Sequence, residues 1–128
     1  MPLIPAFPTP QSPAQLPLPP AEYAAKVFVA FISSQDPETN QPWCPDVRAA
    51  MPFIEAVFAG EDALGLVVVE VGQKPEWKDP QNTYRTEWNI TSIPSLVRYE
   101  RVDGEPAETG RLVEGGILSV EKLRDFVR

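Results

Sequence analysis

Residues 27–58 of this 128-residue chain, VFVAFISSQDPETNQPWCPDVRAAMPFIEAVF, decide the fold. The stretch begins with the apolar run 27–32, rich in β-branched and aromatic residues, which is typical of a strand buried on both faces. A polar loop follows from Ser33 to Gln41. From about Pro45 to Phe58 apolar residues recur every three or four positions, which predicts a helix with one buried face. The stretch therefore predicts a buried strand that leads through a loop into an amphipathic helix.

The rest of the chain extends this pattern into an α/β domain. A second apolar run at 64–71 predicts another buried strand, and 74–88 is loop-rich with a short helix expected around 82–88. Strands are predicted at 95–101 and about 109–113, with a hairpin turn at Asp103-Gly104. Ser119 is expected to cap a last helix whose inward-facing residues are Val120, Leu123, Phe126 and Val127. A parallel crossover followed by an antiparallel hairpin is the arrangement of a thioredoxin-like fold, with a central mixed β-sheet flanked by helices.

The N-terminal segment differs in composition from this domain. Half of the 16 prolines lie in the first twenty residues, so the segment must be extended or turning. We divide the chain into a proline-rich arm at 1–22 and a thioredoxin-like domain at 23–128. The arm contains P-x-x-P patterns that superficially resemble peptide-recognition motifs. We favour an arm that lies along the domain and buries Leu3, Ile4 and Phe7, with a short edge strand.

The amino-acid composition excludes several kinds of catalytic and metal site. With no histidine and a single cysteine, the chain cannot build Ser-His-Asp or Cys-His machinery, a thiolate zinc site or an intramolecular Cys-x-x-Cys couple. We therefore expect no metal and no bound cofactor. The formal net charge of −7 disfavours nucleic acid and anionic membrane surfaces as partners. The N-terminus lacks the features of a signal peptide, and a lone cysteine fits a reducing compartment, so we expect a cytoplasmic monomer.

Cys44 is the residue most able to carry chemistry. It lies where the polar loop enters the predicted helix, next to backbone N–H groups and the positive end of the helix dipole, both of which favour a thiolate. Asp46 opposes this effect, because a nearby negative charge disfavours a second one. The sequence leaves the balance of the two effects open. A buried, inert cysteine is the alternative, and the loop–helix junction makes it the weaker one.

Three segments resemble one family in the same order and spacing. Trp43-Cys44-Pro45-Asp46, the run 71–82 (VGQKPEWKDPQN) and Ile93-Pro94-Ser95-Leu96 are similar to the motifs of the thioredoxin-related protein of 14 kDa family, also called thioredoxin domain-containing protein 17. The resemblance covers about residues 25–127 and leaves the arm outside. It implies that Cys44 is the catalytic nucleophile. It also implies that Trp43, Pro45, Asp46, Ile93 and Pro94 bind the substrate, with Pro94 in a cis peptide bond opposite Cys44.

One position departs from the family pattern. Val47 stands where the family has its second cysteine, the residue that would break a mixed disulfide from within. Val47 also begins the apolar stripe of the helix, so a small β-branched side chain can simply pack there. This chain alone therefore cannot complete a dithiol cycle.

Three functions remain at this stage. The first is a monothiol oxidoreductase in which Cys44 attacks small-molecule or protein disulfides and an external thiol such as glutathione releases it. The second is a redox-inactive module that binds a protein in the groove beside Cys44 and Pro94. The third, a glutathione-ligated iron–sulfur carrier, ranks last because the motif does not resemble such a glutathione site. We favour the first because Cys44 keeps its flanking residues.

Overall fold

The structure is a computed structural model that describes residues 3–4, 26–58 and 65–127. Its strands are β1 (Leu3–Ile4), β2 (Val27–Ile32), β3 (Gln35–Asp36), β4 (Gln41–Pro42), β5 (Gly65–Glu70), β6 (Ser95–Val102) and β7 (Glu105–Val113). Its α-helices are α1 (Pro45–Phe58), α2 (Lys74–Lys78), α3 (Thr83–Thr86) and α4 (Val120–Val127). A 3₁₀ turn at Glu114–Gly116 precedes α4.

The main sheet is mixed, with the strand order β1-β5-β2-β6-β7. β5 runs parallel to β1 and β2, whereas β6 is antiparallel to both of its neighbours. β2 is central, and all six of its residues are buried, because apolar side chains on both faces have helices or loops to pack against. The predicted α/β fold with a central mixed sheet is confirmed.

Aromatic contacts define the two faces of the sheet. On one face the ring of Phe28 packs edge-on against Phe58 of α1 and Phe126 of α4, with centroid separations of 5.4 and 5.7 Å. On the other face Phe31 contacts Trp88 at 5.5 Å and Tyr84 at 6.0 Å. Because β2 is covered on both sides, its carboxyl end is the point at which the chain emerges from the core into the loop that carries Cys44.

The structure agrees with most predicted elements and corrects four details. The helix at Pro45–Phe58 and the hairpin turn at Asp103-Gly104 are confirmed, and both turn residues have positive φ. The predicted loop at 33–41 contains the short β3–β4 pair, the loop-rich region contains the extra helix α2, and β7 begins at Glu105. Val120, expected to face inward, is 36% exposed. It opens α4, which packs on the sheet through its later residues, Leu123 and Phe126.

The proline-rich arm is described only in part. Leu3 and Ile4 form the expected edge strand and pair in parallel with Leu66 and Val67 of β5. The burial of their side chains, the position of Phe7 and the proposed domain boundary at 22–23 lie outside the described residues.

Two polar atoms in the core lack a hydrogen-bond partner among the described residues. They are Tyr99 Oη and Trp88 Nε1, whose rings pack edge-to-face with centroids 5.8 Å apart. Burial, and then the negative charge of Glu108, raise the pKa of Tyr99. The folded protein thus keeps this proton more tightly than the unfolded chain, whose tyrosines titrate near pH 10. The corresponding stability is present below about pH 10 and is lost as the pH rises above it.

We expect Tyr99→Phe to raise the free energy of unfolding by about 1 kcal/mol, because it removes a buried hydroxyl that makes no hydrogen bond to residues 26–58 or 65–127. It should also reduce the loss of stability above about pH 10. Urea denaturation at pH 7 and pH 11 measures both effects, with Tyr84→Phe, at a half-buried tyrosine, as the matched control. A loss of stability at pH 7 in Tyr99→Phe alone would show that the hydroxyl is satisfied.

Candidate functional site

Cys44 caps the N-terminus of α1. Its carbonyl accepts the first hydrogen bond of the helix, from the Arg48 N–H at 3.1 Å, so Cys44 lies just outside the first helical residue, Pro45. The side chain is half-buried. Because the first backbone N–H groups of a helix have no partner within it, the thiol lies at an end of α1 that favours negative charge.

A buried hydroxyl holds the backbone of Cys44 against the sheet. Ser33 directly follows β2 and is fully buried, and its Oγ accepts a hydrogen bond from the Cys44 N–H at 3.2 Å. This bond ties the start of α1 to the carboxyl end of the central strand. Sequence reasoning missed Ser33, although a hydroxyl directly after a buried strand and before the loop was a signal for such a role.

Trp43 is held by two loops at once. Its backbone N–H donates to the Ser34 carbonyl at 3.2 Å, and its indole Nε1 donates to the Gly72 carbonyl at 2.9 Å. The Gly72 N–H in turn donates to Ser34 Oγ at 3.0 Å. The half-buried indole beside Cys44 is therefore fixed by the loop after β5, a contact that the sequence did not reveal.

The three residues after Cys44 divide between solvent and core. Pro45 and Asp46, both predicted to bind substrate, are exposed in the first turn of α1. Val47 is fully buried, together with Ala50, Ile54 and Phe58 on the same helix. The position at which the resembling family carries its second cysteine is thus filled by a packed apolar side chain.

Ile93 and Pro94 lie at the same end of the sheet as Cys44. The peptide bond between them is cis, and both side chains are buried. Pro94 directly precedes Ser95, which pairs with Phe31 near the end of β2, while Ser33 lies two residues beyond Phe31. The structure therefore brings the Ile93-Pro94 segment and the Cys44 segment to neighbouring strand ends. The side chains of Ile93 and Pro94, both predicted to bind substrate, therefore do not face solvent.

The segment from Gly72 to Arg85 forms a well-connected support beside Trp43. Trp77 is buried, and the Arg85 guanidinium lies 3.8 Å from the centre of its ring and donates to its carbonyl at 2.6 Å. The Asn82 side-chain amide donates to the carbonyls of Val71 and Glu76 at 3.1 and 3.0 Å. Trp77 thus anchors this segment in the core.

Helix α1 carries both a negative and a positive side chain near Cys44. Asp46 supplies a carboxylate in the first turn. Arg48 is exposed, and its Nη1 donates to the Pro42 carbonyl at 2.7 Å. Within residues 3–4, 26–58 and 65–127 no three or more His, Cys, Asp or Glu side chains come close enough to hold a metal ion. None of the helices in these ranges is long and apolar enough to cross a membrane.

Comparison with known proteins gives the family. A profile described as thioredoxin domain-containing protein 17-like, thioredoxin domain, matches residues 20–118. The chain belongs to this family. A thioredoxin domain-containing protein of Schizosaccharomyces pombe is similar to it, with 40% identity over 79% of this chain and 82% of the relative. Thioredoxin domain-containing protein 17 of Mus musculus is 35% identical over 61% of this chain and 64% of the relative.

The solved structures confirm the thioredoxin fold of this family member. The X-ray structure of Fasciola hepatica thioredoxin superposes with a TM-score of 0.54 at 21% identity, covering 81% of this chain and 79% of that one. The resemblance deduced from the Trp43–Asp46 motif and its two companion segments is therefore correct at the level of family and fold.

Proposed function

We propose that this thioredoxin-like protein is a monothiol thiol–disulfide oxidoreductase that acts through Cys44 on small disulfides or glutathione mixed disulfides. The observation that carries the proposal is the position of Cys44. It is half-buried, caps α1 and keeps the flanking Trp43, Pro45 and Asp46 of the family motif. A cysteine at a helix N-terminus is in the setting that favours the nucleophilic thiolate.

The proposed reaction is thiol–disulfide exchange in two steps. In the first, the Cys44 thiolate attacks one sulfur of the substrate disulfide. The substrate S–S bond breaks, a Cys44 mixed disulfide forms, and the other substrate sulfur leaves as a thiolate with the electron pair. In the second, an external thiolate such as glutathione attacks the sulfur bonded to Cys44. The external thiol becomes part of a new disulfide, and Cys44 is returned to its thiolate.

The residues around Cys44 have distinct parts in this scheme. Ser33 holds the backbone of Cys44 in place, and the fixed indole of Trp43 offers a flat apolar wall to the substrate. The backbone of Ile93 and Pro94 would pair with an extended peptide or thiol at the neighbouring strand end. Pro45 and Asp46 would contact the substrate from the exposed first turn of α1.

Val47 makes an external thiol necessary. Its fully buried side chain stands where a second cysteine would resolve the mixed disulfide from within. An intramolecular thiol acts at high effective concentration, and its absence leaves release to free thiol in solution. The proposal thus includes no bound cofactor or metal. The proposed substrates of the protein are small-molecule or protein disulfides. We propose neither nucleic acid nor a membrane as a partner, and we propose that the protein is a cytoplasmic monomer.

The buried side chain of Val47 also supports a second candidate function. A packed valine suits a redox-inactive thioredoxin-fold module that binds a protein partner in the groove beside Cys44 and Pro94. In that case the thiol reacts no faster than an ordinary exposed cysteine. A glutathione-ligated iron–sulfur carrier ranks below both, because the Trp43–Val47 motif does not resemble the glutathione site of such carriers.

Reaction with glutathione disulfide separates the two functions. We expect the native protein to form a single glutathione adduct, detected by intact-protein mass spectrometry, and to lose it when reduced glutathione is added. Cys44→Ser should show no adduct, since Cys44 is the sole cysteine. The rate should exceed that of the same protein unfolded in urea at equal pH. A native protein that stays unmodified while the unfolded chain reacts would support the binding module.

A further inference from the structure

Arg48 places a positive charge beside the proposed nucleophile. It is the sole basic residue of α1, one helical turn after Cys44, and it is exposed. Its Nη1 donates to the carbonyl of Pro42 at 2.7 Å, so the side chain folds back toward the N-terminal end of the helix. Pro42 is two residues before Cys44. Because the guanidinium is hydrogen-bonded to the chain two residues before Cys44, it lies at the same end of α1 as the thiol.

This guanidinium retains donors for a ligand. An arginine has five N–H donors in a planar fork that matches a carboxylate. Among the described residues, Arg48 donates one hydrogen bond, from Nη1 to the Pro42 carbonyl. It takes no part in the Arg98–Glu100 or the Arg111–Glu108 ion pair. Asp46 does not neutralise it, since residues two apart on a helix do not face each other. The charge of Arg48 is therefore exposed, and no carboxylate of residues 26–58 or 65–127 forms an ion pair with it.

The position of this charge contrasts with the rest of the protein. The chain carries 18 acidic against 11 basic side chains, a field that repels anionic substrates. At Cys44 the N-terminus of α1 and the guanidinium of Arg48 favour an anion, whereas the exposed carboxylate of Asp46 opposes it. A substrate whose sulfur reacts at Cys44 and that has a carboxylate next to its cysteine would bring that carboxylate to the end of α1 where the Arg48 guanidinium lies.

We propose that Arg48 determines substrate specificity by binding a carboxylate that lies one residue from the reacting disulfide, as the glycine carboxylate does in glutathione. The inference rests on the proposed function of Cys44. Arg48 would contact a part of the substrate that does not react. It would therefore determine which disulfides are preferred.

The test compares disulfides of different charge on the same protein. The probes are glutathione disulfide, which is anionic, 2-hydroxyethyl disulfide, which is neutral, and cystamine, which is cationic. The rate of Cys44 adduct formation is measured by mass spectrometry for each. The ratio of the glutathione rate to the hydroxyethyl rate cancels any change in the intrinsic reactivity of the thiol. A merely structural role of Arg48, such as tethering Pro42, would leave this ratio unchanged.

We expect Arg48→Gln to lower the glutathione-to-hydroxyethyl ratio by about two- to fivefold, the range of an exposed ion pair. The cystamine-to-hydroxyethyl ratio should rise, and Arg48→Lys should restore part of the glutathione preference. High salt should shrink the difference, since exposed charges are screened. Arg101→Gln is the matched control. Arg101 is exposed, also donates Nη1 to a backbone carbonyl, and lies near the β6–β7 turn, at the opposite end of β6 from Pro94.

The outcomes separate the inference from the proposed function. Equal ratios in the wild type and Arg48→Gln, with normal adduct formation, would overturn the role of Arg48 and leave the oxidoreductase intact. No adduct with any of the three disulfides in the native protein would overturn the proposed function and the inference with it. An equal drop in Arg101→Gln would show a general charge effect and also overturn the inference.

Discussion

Val47→Cys is expected to form a disulfide with Cys44 and to turn over with a thioredoxin reductase, whereas the wild type should show almost no turnover by this route. Cys44 is the N-cap of α1 and Val47 is its third helical residue. These are the two positions of a Cys-x-x-Cys motif at a helix start, the arrangement in which two cysteines of this fold form a disulfide. The substitution should cost about 1 kcal/mol or less of stability, because valine and cysteine are both compact and readily buried.

The measurement is NADPH oxidation coupled to the reductase, with a small disulfide as the final substrate. We expect a gain on the order of tenfold or more over the wild type, since an intramolecular thiol acts at a high effective concentration. Two variants control for the buried position: Val47→Ser, which has no sulfur there, and Val47→Cys combined with Cys44→Ser, which has no nucleophile. Both should remain inactive.

A variant that forms the disulfide but gains no turnover would contradict this expectation. It would mean that the surface around Trp43 and Pro94 has also diverged from one that a reductase can engage. That result would favour the redox-inactive binding module, because the missing cysteine would then not be the sole obstacle to dithiol chemistry.

The parts of the fold that were predictable are those fixed by local periodicity. β2 was recognisable because both of its faces are apolar, and α1 because Pro45 is suited to a first helical turn and the buried residues 47, 50, 54 and 58 follow a helical period. α2 has five residues, too few to show a period. Its stability comes from the buried Trp77 and from the Asn82 amide that bonds the Glu76 carbonyl. Such tertiary contacts cannot be deduced from the composition of a loop.

The candidate site also has features that the sequence predicts and features that it does not. The position of Cys44 followed from the order of strand, loop and helix, and Pro94 followed from the family resemblance. The contacts that hold the site did not. Ser33 bonds Cys44 across 11 residues, and Gly72 bonds Trp43 across 29 and Ser34 across 38. These bonds depend on how the β2–α1 connection folds back on itself and meets the loop after β5 at one end of the sheet, which no local pattern encodes.

Gly72 is the position at which a single methyl group should disturb this convergence most. Its φ of +112° lies in the region that L-residues with a side chain rarely adopt, and an added Cβ would lie 2.9 Å from Glu76 Cβ. Its carbonyl accepts hydrogen bonds from the Trp43 indole and from the Ser34 N–H. Any shift that relieves the overlap therefore moves the acceptor that fixes Trp43.

We expect Gly72→Ala to lower the free energy of unfolding by about 2–4 kcal/mol, of which about 1–2 comes from the positive φ and the rest from the overlap. Gly104→Ala is the matched control: its φ is +85°, but an added Cβ there meets nothing within 4 Å, so it should lose about 1–2 kcal/mol. Urea denaturation measures both variants. Acrylamide quenching of tryptophan fluorescence should increase in Gly72→Ala alone, because Trp43 is half-buried while Trp77 and Trp88 are buried. Equal losses of stability in the two variants, with unchanged quenching, would contradict this expectation. They would show that the loop after β5 can shift at little cost and does not hold Trp43 beside Cys44.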